Sequence, residues 1–258
     1  MPSVAAAVVL AAALALTGCD TGGGGGGGGG TGPAHLGETL TVSGARVRLD
    51  DGDRFVNFTG NLEIYRWSLE VEGGVENGLL SFTIGTPSSY VRGNIAQFLD
   101  WELDEWGFTY LATNNDSAEF FMLSGFETSP EGWLERANWT RTSYEWISYI
   151  WVSHAVTITG TGGTFDRECD CECEYWGDEC DCEYWGDECW CAHRETLRNL
   201  NLVLAEGWNT VHFHTAGSPT VRTTTISAAN PNRVGWVWED YNYYYFSEEL
   251  SGRLRARR

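Results

Sequence analysis

Short runs of alternating apolar and polar residues, separated by turn residues, recur along the chain from about residue 39 to residue 239. Clear examples are LSFTIGTP (80–87), VTITGTG (156–162) and RVGWVWE (233–239). Successive side chains of an extended chain point to opposite sides, so this alternation is typical of half-buried β-strands. Many such runs at near-regular spacing predict an antiparallel sandwich or barrel. We therefore predict an all-β fold.

Three segments allow predictions of local structure. NLNLVLAEGWNTVHFHTAG (199–217) alternates apolar residues on both sides of Glu206-Gly207, which predicts a hairpin. SYEWISYIWVSHAVTITGTGG (143–163) predicts either a strand pair or one bent strand. The apolar residues of NIAQFLDWELDEW (94–106) recur with helical spacing, so one short helix is expected there.

The first residues of the chain predict a lipid anchor. Residues 4–16 are apolar without interruption, which suits the hydrophobic region of a secretion signal but is too short to span a bilayer. The tetrapeptide LTGC (16–19) resembles a bacterial lipobox. This resemblance implies that residues 1–18 are removed as a signal peptide and that Cys19 carries acyl chains such as palmitate. The protein would then contact the membrane through these chains, in the bacterial cell envelope, at the periplasmic face or the cell surface.

Composition divides the rest of the chain. Residues 19–35 are rich in glycine and are expected to form a tether, followed by a β domain over 36–247 and a basic tail over 248–258. The net charge of −20 argues against nucleic acid and against electrostatic attachment to anionic lipid. Residues 166–193 separate two strand-like parts of the β domain, and a loop of that size is uncommon in a compact domain. We expect this segment to be an inserted loop.

Strand and turn patterns together with the lipobox carry a family resemblance. LSFTIGTP (80–87), VTITGTG (156–162) and NLNLVLAEGWNTV (199–211) are similar to segments of uncharacterised β-rich lipoproteins of spirochaetes. The resemblance covers about residues 36–240 and implies a lipid-anchored envelope protein with a β fold. It assigns no catalytic or binding residue, and the insertion does not belong to its pattern.

The strongest chemical signal is a cysteine-rich, acidic stretch within the insertion, CDCECEYWGDECDCEYWGDECWC (169–191). It holds seven of the chain's 8 cysteines, and CEYWGDE occurs in it twice with a period of nine residues. Residues two apart in an extended chain point to the same side, so each Cys-x-Cys pair can present two sulfur atoms together. Clustered thiolates favour Zn²⁺ or Cu(I), and the spacing resembles that of metallothioneins. The candidate ligands are Cys171, Cys173, Cys180, Cys182, Cys189 and Cys191.

Two other interpretations of this stretch stay open. Disulfides are expected outside the cytoplasm and would staple a loop that has no core, although an odd number of cysteines leaves one thiol over. A solvated acidic loop without selected chemistry is the third interpretation. The dense carboxylates disfavour thiolates and raise the pKa of the thiols, which argues against a reactive cysteine nucleophile.

Two weaker candidates lie downstream of the insertion. His212 and His214 share one face of a strand and could both ligate a metal ion. Since no third ligand is identifiable, two surface histidines on an edge strand are expected instead. The rings of YNYYYF (241–246) could stack on a sugar or another flat ligand, but packing in a core or at an edge is the more common role of such residues.

These observations support two hypotheses about function. The first is a non-enzymatic, lipid-anchored envelope protein with an acidic cysteine-rich loop that binds metal or is disulfide-linked. The alternative is a ligand-binding or adhesion module in which the β domain holds a small apolar ligand, a sugar or a host surface, and the loop is incidental. The sequence contains no nucleophile elbow, phosphate loop or dinucleotide fingerprint that would indicate an enzyme.

Overall fold

The computed structural model describes residues 31–32, 34–49, 54–63, 71–103, 106–129, 132–140, 142–167, 193–218 and 220–240. The structure is 69% β-strand with one short helix, so the predicted all-β fold is confirmed. The predicted signal peptide, Cys19, the glycine run, the cysteine-rich stretch and the basic tail lie outside the described residues. None of the described helices is long and apolar enough to cross a membrane.

Twenty strands and one helical segment make up the described part of the chain. The helix α1 (Ile95–Gln97) continues as a wider π-helical turn at Phe98–Leu103, where the sequence predicted a helix. The strands are β1 (Thr31–Gly32), β2 (His35–Gly37), β3 (Leu40–Leu49), β4 (Gly60–Glu63), β5 (Glu72–Glu76), β6 (Leu79–Ile84), β7 (Gly93–Asn94), β8 (Thr109–Thr113), β9 (Glu119–Leu123), β10 (Gly125–Ser129), β11 (Gly132–Thr140), β12 (Ser143–Val152), β13 (Val156–Thr161), β14 (Thr164–Arg167), β15 (His193–Leu197), β16 (Leu200–Leu204), β17 (Gly207–Ser218), β18 (Val221–Ser227), β19 (Asn230–Pro231) and β20 (Gly235–Asp240).

Seven strands close into a barrel in the order β4-β5-β6-β3-β20-β11-β10. The ring closes because β10 pairs with β4 on one side and with β11 on the other. Alternation along these strands sends one set of side chains inward, where Val47, Leu80, Phe126 and Leu134 are fully buried. Phe82 and Trp236 meet edge to face inside, with ring centroids 5.7 Å apart. Burial of this apolar interior supplies most of the driving force for closing the ring.

A second sheet branches from the barrel at β11. Strand β12 pairs with β11 through its first half and with β9 through its last residues, while its other edge pairs with β17. The sheet continues through β18, β15 and β14. A separate three-stranded sheet, β16-β13-β8, and the helical segment cover one side of it. The second core between these layers includes Ile150, Val211, Phe213, Ile158 and Leu202.

The structure differs from the sequence predictions in how strands connect. Residues 199–217 do not form a hairpin, because β16 pairs with β13 whereas β17 pairs with β12. The apolar residues of β16 and of β17 belong to the same core and line it from two different layers. At the corner, Gly207 has a φ of 95°, and the Asn209 amide donates to the Ala205 carbonyl at 2.8 Å. The two strands within 143–163 likewise belong to different sheets and do not pair with each other.

Two of the strand pairings are parallel, β3 with β20 and β15 with β18, although an antiparallel architecture was predicted. Strand β14 pairs with β15 so that Arg167 lies opposite His193. The two ends of the cysteine-rich segment are therefore neighbours on adjacent strands. Whether the β domain folds without this segment is not tested by the structure, so its role as an insertion stays a prediction.

Candidate functional site on the aromatic face

The sheet formed by β11, β12 and β17 carries different chemistry on its two sides. On one side, neighbouring strands bring together Trp139, Tyr144, Trp146 and Phe213, and Trp106 packs against them. We call these five residues the aromatic face. On the other side lie Arg136, Glu145, His212 and His214, which we call the polar face. The sequence produces both faces because the side chains of each strand alternate between them.

The rings of the aromatic face form one continuous stack. Trp146 and Phe213 are nearly parallel, with centroids 4.7 Å apart and an interplanar angle of 6°. Tyr144 stacks on Trp146 at 4.8 Å, and Trp139 follows Tyr144 at 5.9 Å. Trp106, just after the helical segment, contacts the inner end of the stack, 5.5 Å from Trp146. Stacked and tilted arrangements at these distances stabilise aromatic pairs beyond their burial.

Burial decreases along the stack from the core to the surface. Phe213 belongs to the second core and is 5% exposed, whereas Trp139, Tyr144 and Trp146 are partly exposed. Part of each outer ring is therefore exposed to solvent, while contacts with the neighbouring rings hold its position. Rigid rings in a fixed stack can accept a flat ligand with little loss of side-chain entropy.

Two carboxylates lie beside the outer rings, on the outside of the barrel. Glu135 accepts a hydrogen bond from the indole Nε1 of Trp133 at 3.2 Å. Glu239 lies on β20 directly opposite Trp133. Burial raises the pKa of Glu135, the hydrogen bond from Trp133 lowers it, and the negative charge of Glu239 raises it, with a net increase.

The hydroxyl of Tyr144 belongs to the same electrostatic environment. Its pKa is raised first by burial and then by the negative charges of Glu135 and Glu239. The phenol therefore keeps its proton and can donate a hydrogen bond, while the two carboxylates can accept hydrogen bonds. Flat apolar surface next to a few fixed donors and acceptors suits a ligand that has an apolar face and hydroxyl groups at its edge.

The polar face is organised around Glu145, which is only 3% exposed. Arg233, from the connection between β18 and β20, approaches it with Nε at 2.9 Å and 3.1 Å from the two carboxylate oxygens, and with Nη2. Nε2 of His214 lies 3.3 Å from Oε1 of the same carboxylate. Burial alone would raise the pKa of Glu145, but the hydrogen bonds and charge of Arg233, followed by the histidines, lower it.

The structure corrects the sequence prediction for the two histidines. His212 and His214 share one face, with ring centroids 5.8 Å apart, but β17 is an interior strand and His212 is 7% exposed. Burial lowers the pKa of His212 to about 4, although Glu145 acts in the opposite direction. Within the described ranges, no group of three or more His, Cys, Asp or Glu side chains is arranged to hold a metal ion. His212 is thus a buried polar residue of an interior strand, whereas the side chain of His214 is 34% exposed beside Glu145.

The remaining candidate residues from the sequence cannot be placed. Cys19, the six cysteines of the Cys-x-Cys pairs and YNYYYF (241–246) lie outside the described residues. The aromatic face was not predicted from the sequence, although Tyr144 and Trp146 occupy alternate positions in SYEWISYIWV, which indicates a strand with aromatic rings on one side. No known protein family, curated protein or solved structure matches the chain.

Proposed function

We propose that this protein is a lipid-anchored protein of the bacterial envelope whose β domain binds a carbohydrate at the aromatic face. This is the second of the two hypotheses from the sequence, with the ligand narrowed to a sugar. One observation carries it: a rigid stack of rings reaches the surface beside two carboxylates and a protonated phenol. The apolar C–H face of a pyranose packs on an aromatic ring, and its hydroxyl groups donate to carboxylates.

A binding role is proposed in preference to an enzymatic one. The aromatic face offers a surface for recognition, and the sequence contains none of the nucleophile or cofactor motifs considered above. Attachment through Cys19 and metal or disulfide chemistry in the cysteine-rich segment are further parts of the proposal. Their support comes from the lipobox and from the Cys-x-Cys spacing.

The binding proposal is tested with purified, non-acylated chain carrying Cys19→Ser. A panel of immobilised oligosaccharides identifies a binder, and calorimetry then measures its dissociation constant. Replacing an aromatic contact costs about 1–2 kcal/mol, so Tyr144→Ala and Trp139→Ala should each weaken binding by about 5- to 30-fold. Both variants must retain the cooperative melt of the parent.

Tyr110 provides the matched control. It is 87% exposed on β8, in the separate three-stranded sheet, and is not part of the stack. Tyr110→Ala should leave the dissociation constant unchanged. The proposal fails if no oligosaccharide binds, or if Tyr110→Ala weakens binding as much as Tyr144→Ala does.

A further inference from the structure

Buried charged groups on the polar face hold the connection between β18 and β20, residues 228–234. Arg136 is 4% exposed and donates to Asn230 Oδ1 at 2.8 Å. It also donates to the Val234 carbonyl, through Nη2 at 2.9 Å and Nε at 3.2 Å. Arg233 reaches from the same connection to the carboxylate of Glu145. Two guanidinium groups therefore fix this connection against the sheet.

The same connection holds the first described strand of the chain. Within it, β19 pairs with β1, with Thr31 opposite Pro231 and Gly32 opposite Asn230. This two-strand sheet has no other members among the described strands. If residues 229–233 leave the polar face, β1 loses its pairing partner. The charge cluster is thus mechanically coupled to the segment that follows the glycine run.

The charge balance of the cluster depends on His212. The charges of Arg233 and Arg136 oppose a positive charge on His212, whereas the carboxylate of Glu145, which pairs with Arg233, favours it. His212 lies among these groups and His214, and its buried Nε2 has no hydrogen-bond partner. A proton taken up by His212 adds a positive charge beside two guanidinium groups, and the carboxylate of Glu145 cannot neutralise all three positive charges.

We propose that Glu145, Arg233, His212 and His214 form an acid-sensitive latch that holds residues 229–233 and β1 closed at neutral pH and releases them in acid. Protonation of His212 next to two guanidinium groups repels Arg233, whose side chain is already 51% exposed and can move into solvent. Opening hydrates the imidazolium and removes the repulsion. Val234 is 1% exposed in the barrel core and Ala228 packs against the second core, so these two residues stay in place while residues 229–233 move, and both cores stay folded.

The size of the shift from the closed to the open state depends on the difference between the pKa values of His212 in these two states. The pKa of His212 is about 4 in the closed state and returns towards 6.5 when the ring is solvated. By linkage, the open state should gain on the order of 100-fold relative to the closed state between pH 7.5 and pH 4.5. The population of the open state rises only below the pKa of the solvated His212 ring, because there the open state binds the proton and the closed state does not.

Hydrogen exchange measured by mass spectrometry on the full chain tests the latch. After correction for the intrinsic pH dependence of exchange, protection of residues 31–32 and 229–233 should fall by about 100-fold from pH 7.5 to pH 4.5. Protection of the barrel hairpin 72–84 should stay constant. His212→Gln cannot take up the proton and should keep both regions protected at pH 4.5.

Glu145→Gln removes the central carboxylate and should leave both regions poorly protected even at pH 7.5. If that variant does not fold, Arg233→Gln removes the same ion pair from a side chain at the surface. Arg194→Gln is the matched control, since it breaks the exposed pair with Asp166 at 3.0 Å and should change neither region. The latch is refuted if protection of residues 229–233 in the parent is independent of pH, or if His212→Gln loses protection as the parent does.

Discussion

Barrel closure depends on the absence of a side chain at Gly60. A Cβ atom at this position would lie 1.8 Å from the carbonyl oxygen of Ser129 on β10, and real Cβ atoms essentially never approach closer than 3.0 Å. In Gly60→Ala, β4 must therefore move away from β10 by more than 1 Å. The seam consists of only three residue pairs, from Glu127–Glu63 to Ser129–Asn61. A shift of that size breaks its hydrogen bonds, because an N–H···O contact near 2.9 Å is lost well before 4 Å.

We expect Gly60→Ala to lower the free energy of unfolding by about 2–4 kcal/mol. Two or three ladder hydrogen bonds contribute about 0.5–1.5 kcal/mol each, and displacement of β4 also loosens the packing around the buried Leu62. Urea unfolding followed by tryptophan fluorescence measures the change, and an unchanged slope with denaturant would show that the unfolded state is unaffected.

Gly85→Ala is the control for the general effect of adding a methyl group. Its Cβ would meet no atom within 4 Å, so stability should change by less than about 0.5 kcal/mol. If Gly60→Ala is as stable as the parent, or if the two variants lose the same stability, the seam does not close the barrel in the way described.

Four further predictions concern other parts of the chain. Burial lowers the pKa of His212 in the folded protein to about 4. The free energy of unfolding should therefore be constant above pH 6.5 and fall by about 3 kcal/mol as the pH drops to 4, and urea titrations at each pH measure this change. Deleting 168–192 and joining the ends with a short glycine-containing turn should retain a cooperative β-type melt, since loop length changes closure entropy slowly. Cys19→Ser should abolish lipid labelling in cells and move the protein from detergent to aqueous phase. In reduced protein, replacing Cys180 and Cys182 together should cause the largest loss of bound Zn²⁺ or Cu(I), measured by native mass spectrometry. If protein purified in air has one free thiol or none, the cysteines form disulfides instead.

The sequence predicted strands well because alternation reports which side of a strand is buried. It did not predict their partners. The leucines of β16 and the apolar residues of β17 alternate as a hairpin would, but they face one another across a core. Alternation is the same whether the facing layer belongs to the same sheet or to a different one. The two parallel pairings join strands that are distant in the chain, and no local signal marks them.

The candidate sites differ in how far they could be predicted. The ring-bearing side of β12 is visible in Tyr144 and Trp146 as alternate aromatic residues. The ion pair of Glu145 with Arg233 joins residues 88 positions apart, and its partner comes from a connection without a strand pattern. Long-range pairs of this kind depend on the topology, so they became visible only once the sheet order was known.

The pairing of β1 with β19 has a consequence for how the domain is presented. Strand β1 joins the domain beside the connection that packs on Arg136, so the chain enters on the polar side of the sheet. For a chain attached at Cys19, twelve residues separate the lipid from Thr31, a distance of at most about 42 Å even when fully extended. The side of entry would then stay within this distance of the bilayer. In the orientation that brings this side to the bilayer, the stacked rings on the opposite side of the sheet would face away from the membrane.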